Sequence, residues 1–209
     1  MQCKKNSYGL ETSDRKAICA VILAGGAARR MGGVDKGWVA FENSTLVETV
    51  VRTIKPQVGK VVISANRNLE RYRSLGFEVV TDKMEGYRGP LVGIASAMTA
   101  VDSEFYVTAP CDSPFVPKDY VRKLYRAFEE DSQIKCAAVV SHGYKQPVFM
   151  MVRKETLASI EDYLAAGENR VRGWLESMQA KWVDFEDLRA FENFNTPEDL
   201  QKSVADRAK

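Results

Sequence analysis

Short apolar runs punctuate the chain at 17–23 (AICAVIL), 60–65 (KVVISA), 77–81 (FEVVT), 104–109 (EFYVTA), 136–141 (CAAVVS), 146–152 (QPVFMMV) and 181–185 (KWVDF). They are continuous rather than alternating, the pattern of strands covered on both faces. Between most of them the apolar positions take a helical period. Leu91, Ile94, Ala95 and Met98 fall at i, i+3, i+4, i+7, and Val121, Leu124, Tyr125 and Phe128 repeat that spacing. Such alternation predicts an α/β fold: a three-layer, Rossmann-like, mostly parallel sheet of about seven strands with helices on both faces. In open sheets of this kind ligands gather beyond the carboxyl ends of the strands.

Length and charge narrow the classes. At 209 residues the chain suits one domain, read here as 17–209 behind a flexible extension over 1–16. A hydrophobic content of 45% beside 28% charged residues is ordinary for a globular protein with a real core. The net charge of only +2, from 30 basic and 28 acidic side chains, argues against nucleic-acid binding, which usually shows a basic surplus. No run of eighteen apolar residues is present, so no membrane span is expected, and the polar stretch Met1 to Lys16 lacks the apolar segment of a signal peptide. A cytoplasmic location follows as the expectation. Cys3, Cys19, Cys111 and Cys136 form no C-x-x-C pair and His142 is the lone histidine, so reduced thiols are expected rather than a zinc site.

The stretch Val21 to Gly37, VILAGGAARRMGGVDKG, carries the candidate chemistry. Gly25 and Gly26 would let the backbone turn sharply against a ligand. Successive N–H groups there could form an anion-binding nest, and Arg29, Arg30 and Lys36 add charge suited to phosphate. Lys36 follows Asp35 rather than glycine, so the stretch is not a P-loop, and G-x-G-x-x-G is absent as well. Asp112 follows the run EFYVTAP and should emerge at a strand tip. A carboxylate there could hold Mg2+, which takes one or two carboxylates plus phosphate oxygens, or could instead cap a helix beginning near Pro117. Asp82 also ends an apolar run. Gly89-Pro90 reads as a helix start, as does Thr196-Pro197. Trp38, Phe41, Trp174 and Trp182 are read as packing residues.

L-A-G-G-x-x-x-R-M-G-G-x-D-K, at Leu23 to Lys36, resembles the signature of molybdenum cofactor guanylyltransferases, within the wider nucleotidyltransferase group that activates sugars. The resemblance extends to D-x-x-x-x-Y-x-G-P-L-x-G at Asp82 to Gly93, P-C-D-x-P at Pro110 to Pro114 and N-T-P-E at Asn195 to Glu198, covering about residues 17–201. It implies the nucleotide-diphospho-sugar transferase type of sheet and transfer of GMP from GTP to the phosphate of molybdenum-molybdopterin. It further implies Mg2+ on Asp112, with Arg30, Lys36 and Asp112 as catalytic groups. Leu23, Ala24, Gly25, Gly26, Lys36, Asp82 and Asp112 would contact the nucleotide. The G-E-x-R pattern ending at Arg170, together with Asn193 and Asn195, would lie on the pterin side. Contacts with molybdenum-insertion proteins and recipient molybdoenzymes are implied too. Before Ala65-Asn66, where relatives carry an asparagine that contacts nucleotide, this chain has Ser64. Three alternatives stay open: cytidylyl transfer to the same cofactor, nucleotidyl transfer to a sugar phosphate, and a GTP-binding adaptor that delivers cofactor without chemistry.

Overall fold

The computed structural model describes residues 9–25, 35–83 and 89–194. Its strands are β1 (Ile18–Leu23), β2 (Ala40–Phe41), β3 (Ser44–Thr45), β4 (Lys60–Ser64), β5 (Glu78–Val80), β6 (Phe105–Pro110), β7 (Cys136–Ser141), β8 (Tyr144–Arg153) and β9 (Lys181–Phe185). The helices are α1 (Thr12–Lys16), α2 (Leu46–Ile54), α3 (Leu69–Arg73), α4 (Pro90–Ala100), α5 (Tyr120–Glu130), α6 (Leu157–Ala165) and α7 (Val171–Ser177). Seven strands form one sheet in the order β5-β4-β1-β6-β8-β7-β9, and β2 with β3 makes a separate small hairpin. Every pairing in the large sheet is parallel except the two made by β8.

Alternate side chains of each strand enter different cores, which is what makes three layers. Ile18, Ala20 and Ile22 of β1 join a cluster with Val47, Val50 and Ile54 of α2 and Tyr120, Val121, Leu124 and Phe128 of α5. Cys19 and Val21 point the other way, toward Leu91, Ile94 and Ala95 of α4, Ile160 and Leu164 of α6, and Trp174 and Leu175 of α7. Helix α5 keeps a polar face, with Arg126 and Glu130 exposed and paired at 2.7 Å. Helix α4 differs from the single apolar stripe its spacing suggests. Leu91 to Met98 is buried throughout, because the helix lies between the sheet and α6.

The extension expected over 1–16 is described from Gly9 onward. Residues Thr12–Lys16 are helical, Leu10 is fully buried in the α2/α5-side core, and the Tyr125 hydroxyl of α5 donates to Asp14 at 3.4 Å.

The reversal of β8 has a local cause. His142 and Gly143 both adopt positive φ, 48° and 80°, in a two-residue turn that pairs Ser141 with Tyr144. Such mirror-image turns match the twist of a hairpin. Further along, Ala138 pairs with Met150 but Val139 pairs with Gln146, so Pro147, Val148 and Phe149 bulge out of register. Proline, which has no N–H to give, is tolerated at such a bulge. The buried Thr108 hydroxyl of β6 stitches the gap, donating to the Val148 carbonyl and accepting from the Met150 amide at 3.3 Å.

Candidate active site

Strands β4, β1 and β6 run in parallel at the centre of the sheet, so the loops after Leu23, Ser64 and Pro110 leave from one edge. The sheet extends slightly past each strand end. Ala24 N–H donates to the Ser64 carbonyl at 2.8 Å, and Cys111 N–H donates to the Leu23 carbonyl at 3.0 Å. Of the backbone expected to read a base, the Leu23 carbonyl and Ala24 amide are therefore already engaged. Gly25, exposed, is the first residue clear of the sheet. Gly26, Arg30 and Asn195 lie outside the described residues, as do Arg29 and the N-T-P-E motif.

Beside Gly25 is a compact polar corner. Asn66 and Asp82 clasp each other: the Asn66 amide donates to Asp82 Oδ2 at 2.7 Å and its Oδ1 accepts from Asp82 N–H at 2.9 Å. A Cβ on Gly25 would lie 3.2 Å from Asn66 Nδ2, and one on Gly93 would lie 2.3 Å from Ser64 Oγ and 3.4 Å from Asp82 Oδ1. Ser64 is almost fully buried, at 2% exposure, so its hydroxyl faces the glycine at the start of α4 rather than solvent. The structure thus brings Gly25, Ser64 and Asp82 together, with Asn66 as the member that sequence reasoning passed over.

A second group holds the charges. Lys36 Nζ sits 3.2 Å from Asp112 Oδ2, joining two side chains 76 positions apart. This ion pair answers the capping alternative for Asp112, since the carboxylate turns to the lysine and Asp119 occupies the cap position of α5. Asp35, just before the lysine, is 6% exposed and saturated with donors. Its Oδ1 accepts from Tyr72 Oη at 2.7 Å and Gly37 N–H at 3.3 Å, its Oδ2 accepts from Asn68 Nδ2 at 2.9 Å, and Arg67 Nε lies 3.9 Å away. Burial pushes the Tyr72 phenol far above its ordinary range, so it serves Asp35 as a donor throughout the pH range of a folded protein. A Cβ on Gly37 would meet Tyr72 Oη at 2.5 Å, which explains the glycine after the lysine. Trp38 stacks at a tilt on Tyr72, 5.0 Å between centroids, and the Arg71 guanidinium lies over the Trp38 ring at 4.1 Å. Asp35 therefore anchors the end of the basic loop to α3 and fixes where Lys36 begins. Nothing in the sequence near Asp35 signals this, because its partners are over thirty residues away.

A cleft of about 560 Å³ is lined by Gly89, Pro90, Pro147, Val148, Asn169, Arg170, Val171 and Arg172. Its walls are the start of α4, the β8 bulge and the start of α7. Gly89 has φ 113°, a conformation that favours glycine, and Pro90 opens the helix as its position suggested. Arg170 is exposed at this rim. Asn193, grouped with it by resemblance, lies elsewhere: its Oδ1 accepts from Ser113 Oγ at 2.7 Å, against the turn that carries Asp112.

The remaining candidates are quiet. Cys111 adjoins Asp112, but burial, with Asp112 adding to it, pushes its thiol far up, and burial pushes Cys19 and Cys136 up to about 12. None is poised as a thiolate nucleophile. His142 bonds the Glu186 carbonyl in the β7–β8 turn, and β8 separates its strand from β6. Trp174 is fully buried with its indole N–H on Ser159 at 3.2 Å, and Phe41 is buried, as packing roles require.

A lysine–aspartate pair whose carboxylate follows the end of β6 can hold phosphate and neutralise its charge. The comparison with known sequences places the arrangement. The profile of the MobA-like NTP transferase domain matches residues 20–182. The chain belongs to this family. The chain is similar to a molybdenum cofactor guanylyltransferase from Shewanella halifaxensis, 44% identical over 188 residues that span 88% of this chain and 92% of the relative. Another, of the same description, from Polynucleobacter asymbioticus, is 36% identical over 88% and 94% of the two chains. In three dimensions this MobA-like chain is similar to molybdopterin-guanine dinucleotide biosynthesis protein A from Archaeoglobus fulgidus, at 25% identity and TM-score 0.68 over 91% of this chain and 99% of that one. A 4-diphosphocytidyl-2C-methyl-D-erythritol synthase from Anaerococcus prevotii, 16% identical with TM-score 0.72 over 94% and 98%, shares the fold. The chain is accordingly a nucleotidyltransferase of this MobA-like type. Among the described residues no helix is long and apolar enough to cross a membrane.

Proposed function

We propose that this chain transfers GMP from GTP to the phosphate of molybdenum-molybdopterin, forming molybdopterin guanine dinucleotide and releasing pyrophosphate. The observation that carries the reading is the Lys36–Asp112 pair at 3.2 Å, with the carboxylate on the turn that follows β6. The names of relatives at 36–44% identity support guanylyl as the group transferred.

The nucleotide base belongs at the corner of Gly25, Ser64, Asn66 and Asp82, where fixed amide and carboxylate groups offer both donors and acceptors. Phosphates lie beyond Gly25, and Gly26 and Arg30 are assigned to them by motif alone. Lys36, held at its backbone by Asp35, keeps an ammonium on the phosphates and stabilises charge as pyrophosphate leaves. The pterin substrate enters the Arg170 cleft and presents its phosphate to the α-phosphorus. That phosphate is already ionised near neutral pH, so the site must align it rather than deprotonate it. No general base is required.

The donor set fits Mg2+. Among the described residues no three of His, Cys, Asp and Glu gather, but Mg2+ asks for only one or two carboxylates when phosphate oxygens supply the rest. Asp112, 13% exposed at its side chain, is the residue that would hold it. When bound, the ion supplies charge neutralisation on the phosphates. The reaction belongs in the cytoplasm, its product passing to recipient molybdoenzymes through contacts with molybdenum-insertion proteins.

A delivery adaptor would need neither the metal carboxylate nor its lysine. Pyrophosphate release separates the two readings: a stoichiometric burst of pyrophosphate from GTP only when molybdopterin is present supports the transferase, and GTP binding with no pyrophosphate supports the adaptor.

A further inference from the structure

The turn that carries Asp112 is held from behind by a segment far away in the chain. Phe194 N–H donates to the Asp112 carbonyl at 3.1 Å, and on the next residue the fully buried Ser113 hydroxyl donates to Asn193 Oδ1 at 2.7 Å. On its other side the turn is tied by Cys111 N–H to the Leu23 carbonyl at 3.0 Å. Asp112 therefore sits between β1 and the 193–194 segment, with its backbone fixed from both.

The same segment reaches the lysine. Phe194, 4% exposed, packs edge-on to Phe115 at 5.5 Å, and Phe115 packs edge-on to Phe41 at 5.5 Å. Phe41, Leu46, Phe194, Val39 and Phe115 form a satellite cluster apart from the two large cores. Val39 and Phe41 follow directly on the short helix Lys36–Trp38, and Phe115 follows Asp112 by three residues. One small apolar cluster thus fastens the three segments that carry Lys36, Asp112 and Asn193.

From this we infer that Asn193 and Phe194 are positioning residues: they hold the Asp112 turn against the Lys36 segment and so set the distance and direction between the carboxylate and the ammonium. The inference rests on the role given to Asp112 and Lys36 above. Neither residue touches substrate in this role. Loss of either leaves the two large cores intact but frees the Asp112 turn, and misplacement of a reacting group by about 1 Å can cost roughly 100-fold in rate.

The test uses the full chain with Asn193→Ala, Asn193→Asp, Phe194→Ala and Phe194→Leu. Two quantities are read: Mn2+ affinity in the presence of GTP, by electron paramagnetic resonance without turnover, and kcat for pyrophosphate release. Asn193→Ala and Phe194→Ala should weaken Mn2+ binding and lower kcat, each by about 10- to 100-fold. Asn193→Asp keeps an acceptor for Ser113, and Phe194→Leu keeps apolar volume, so both should recover most of the loss. A merely structural role would lower the melting temperature without moving Mn2+ affinity at a temperature where the protein is folded. Should Phe194→Ala fail to fold, Asn193→Ala decides, because Asn193 is an exposed residue outside the apolar clusters. Folded Asn193→Ala with wild-type Mn2+ affinity and kcat would overturn the inference. Wild-type protein that neither binds Mn2+ with GTP nor releases pyrophosphate would instead overturn the functional reading, and this one with it.

Discussion

Replacing Asp35 by asparagine removes one charge and almost no volume, and the structure allows its cost to be worked out. One amide oxygen can still accept from Tyr72 and Gly37, as Oδ1 does now at 2.7 and 3.3 Å. The other position becomes an NH2 that faces Asn68 Nδ2 at 2.9 Å and Arg67 Nε at 3.9 Å, donor against donor. Losing one hydrogen bond to a charged group costs about 1.5–3 kcal/mol, and a buried donor left unmatched costs about 1–3 kcal/mol. Relief from burying a charge at 6% exposure offsets part of this. The net should be about 2–4 kcal/mol, or a fall in melting temperature of roughly 5–12 °C for a chain of this size. Asp35→Ala, which strips every acceptor, should lie at or above the upper end.

The same substitution should be felt in catalysis, since Lys36 is the next residue and its backbone is set by the Asp35 contacts. With the anchor loosened, kcat should fall by about 10-fold or more, while KM for GTP changes less, because a mobile ammonium costs most where charge develops. Differential scanning calorimetry gives the first number, and pyrophosphate release below the melting range gives the second. Asp35→Asn that melts within a degree of wild type and turns over normally would refute the anchor.

Asp112→Asn keeps shape but loses the carboxylate that faces Lys36, so turnover should drop by at least ~10²-fold with little change in melting temperature, the scale on which lost charge stabilisation is felt; near-normal turnover at saturating Mg2+ would contradict the role. Lys36→Ala should lower kcat more than it raises KM, and Lys36→Arg should not restore it, because a planar fork does not replace a compact ammonium; an unchanged kcat with raised KM would reduce Lys36 to a holder of substrate. Gly93→Ala drives a Cβ to 2.3 Å from Ser64 Oγ and should destabilise the protein by about 1–3 kcal/mol in urea unfolding. Adding Ser64→Ala should recover most of that loss, and additivity of the two changes would show that they do not meet.

Much of this architecture is legible in the residues themselves. All seven apolar runs are strands of the large sheet, most within one or two residues of the expected ends, because strands buried on both faces announce themselves by composition alone. The reversed direction of β8 is not visible in its apolar run; it depends on the turn at His142-Gly143, and periodicity carries no sign of strand polarity. The hairpin of β2 and β3 spans only two residues on each side, too short for any pattern. At the site, Asp82 and Asp112 stand out because charge after a strand needs an explanation, and Lys36 because it belongs to a basic, glycine-rich stretch. Asp35, Asn66 and Ser113 do not, because each draws its role from a partner 16 to 80 positions away, and one sequence holds no record of such pairs. Asn193 was legible as a polar residue near the site, but not the direction in which its amide turns.

The central claim is guanylyl transfer, and base choice tests it most directly. Guanine presents an O6 acceptor beside N1–H and N2–H donors, which the Gly25 backbone and the Asn66–Asp82 clasp can match; adenine sets an amine where that carbonyl would be, and cytosine leaves space unfilled. A site of fixed polar groups rejects a base that leaves them unpaired by ~10²-fold or more. The measurement is kcat/KM for GTP, ATP and CTP with molybdopterin as acceptor and pyrophosphate as readout. GTP should exceed both others by that margin, and CTP equal to or better than GTP would contradict the account and make the chain a cytidylyltransferase.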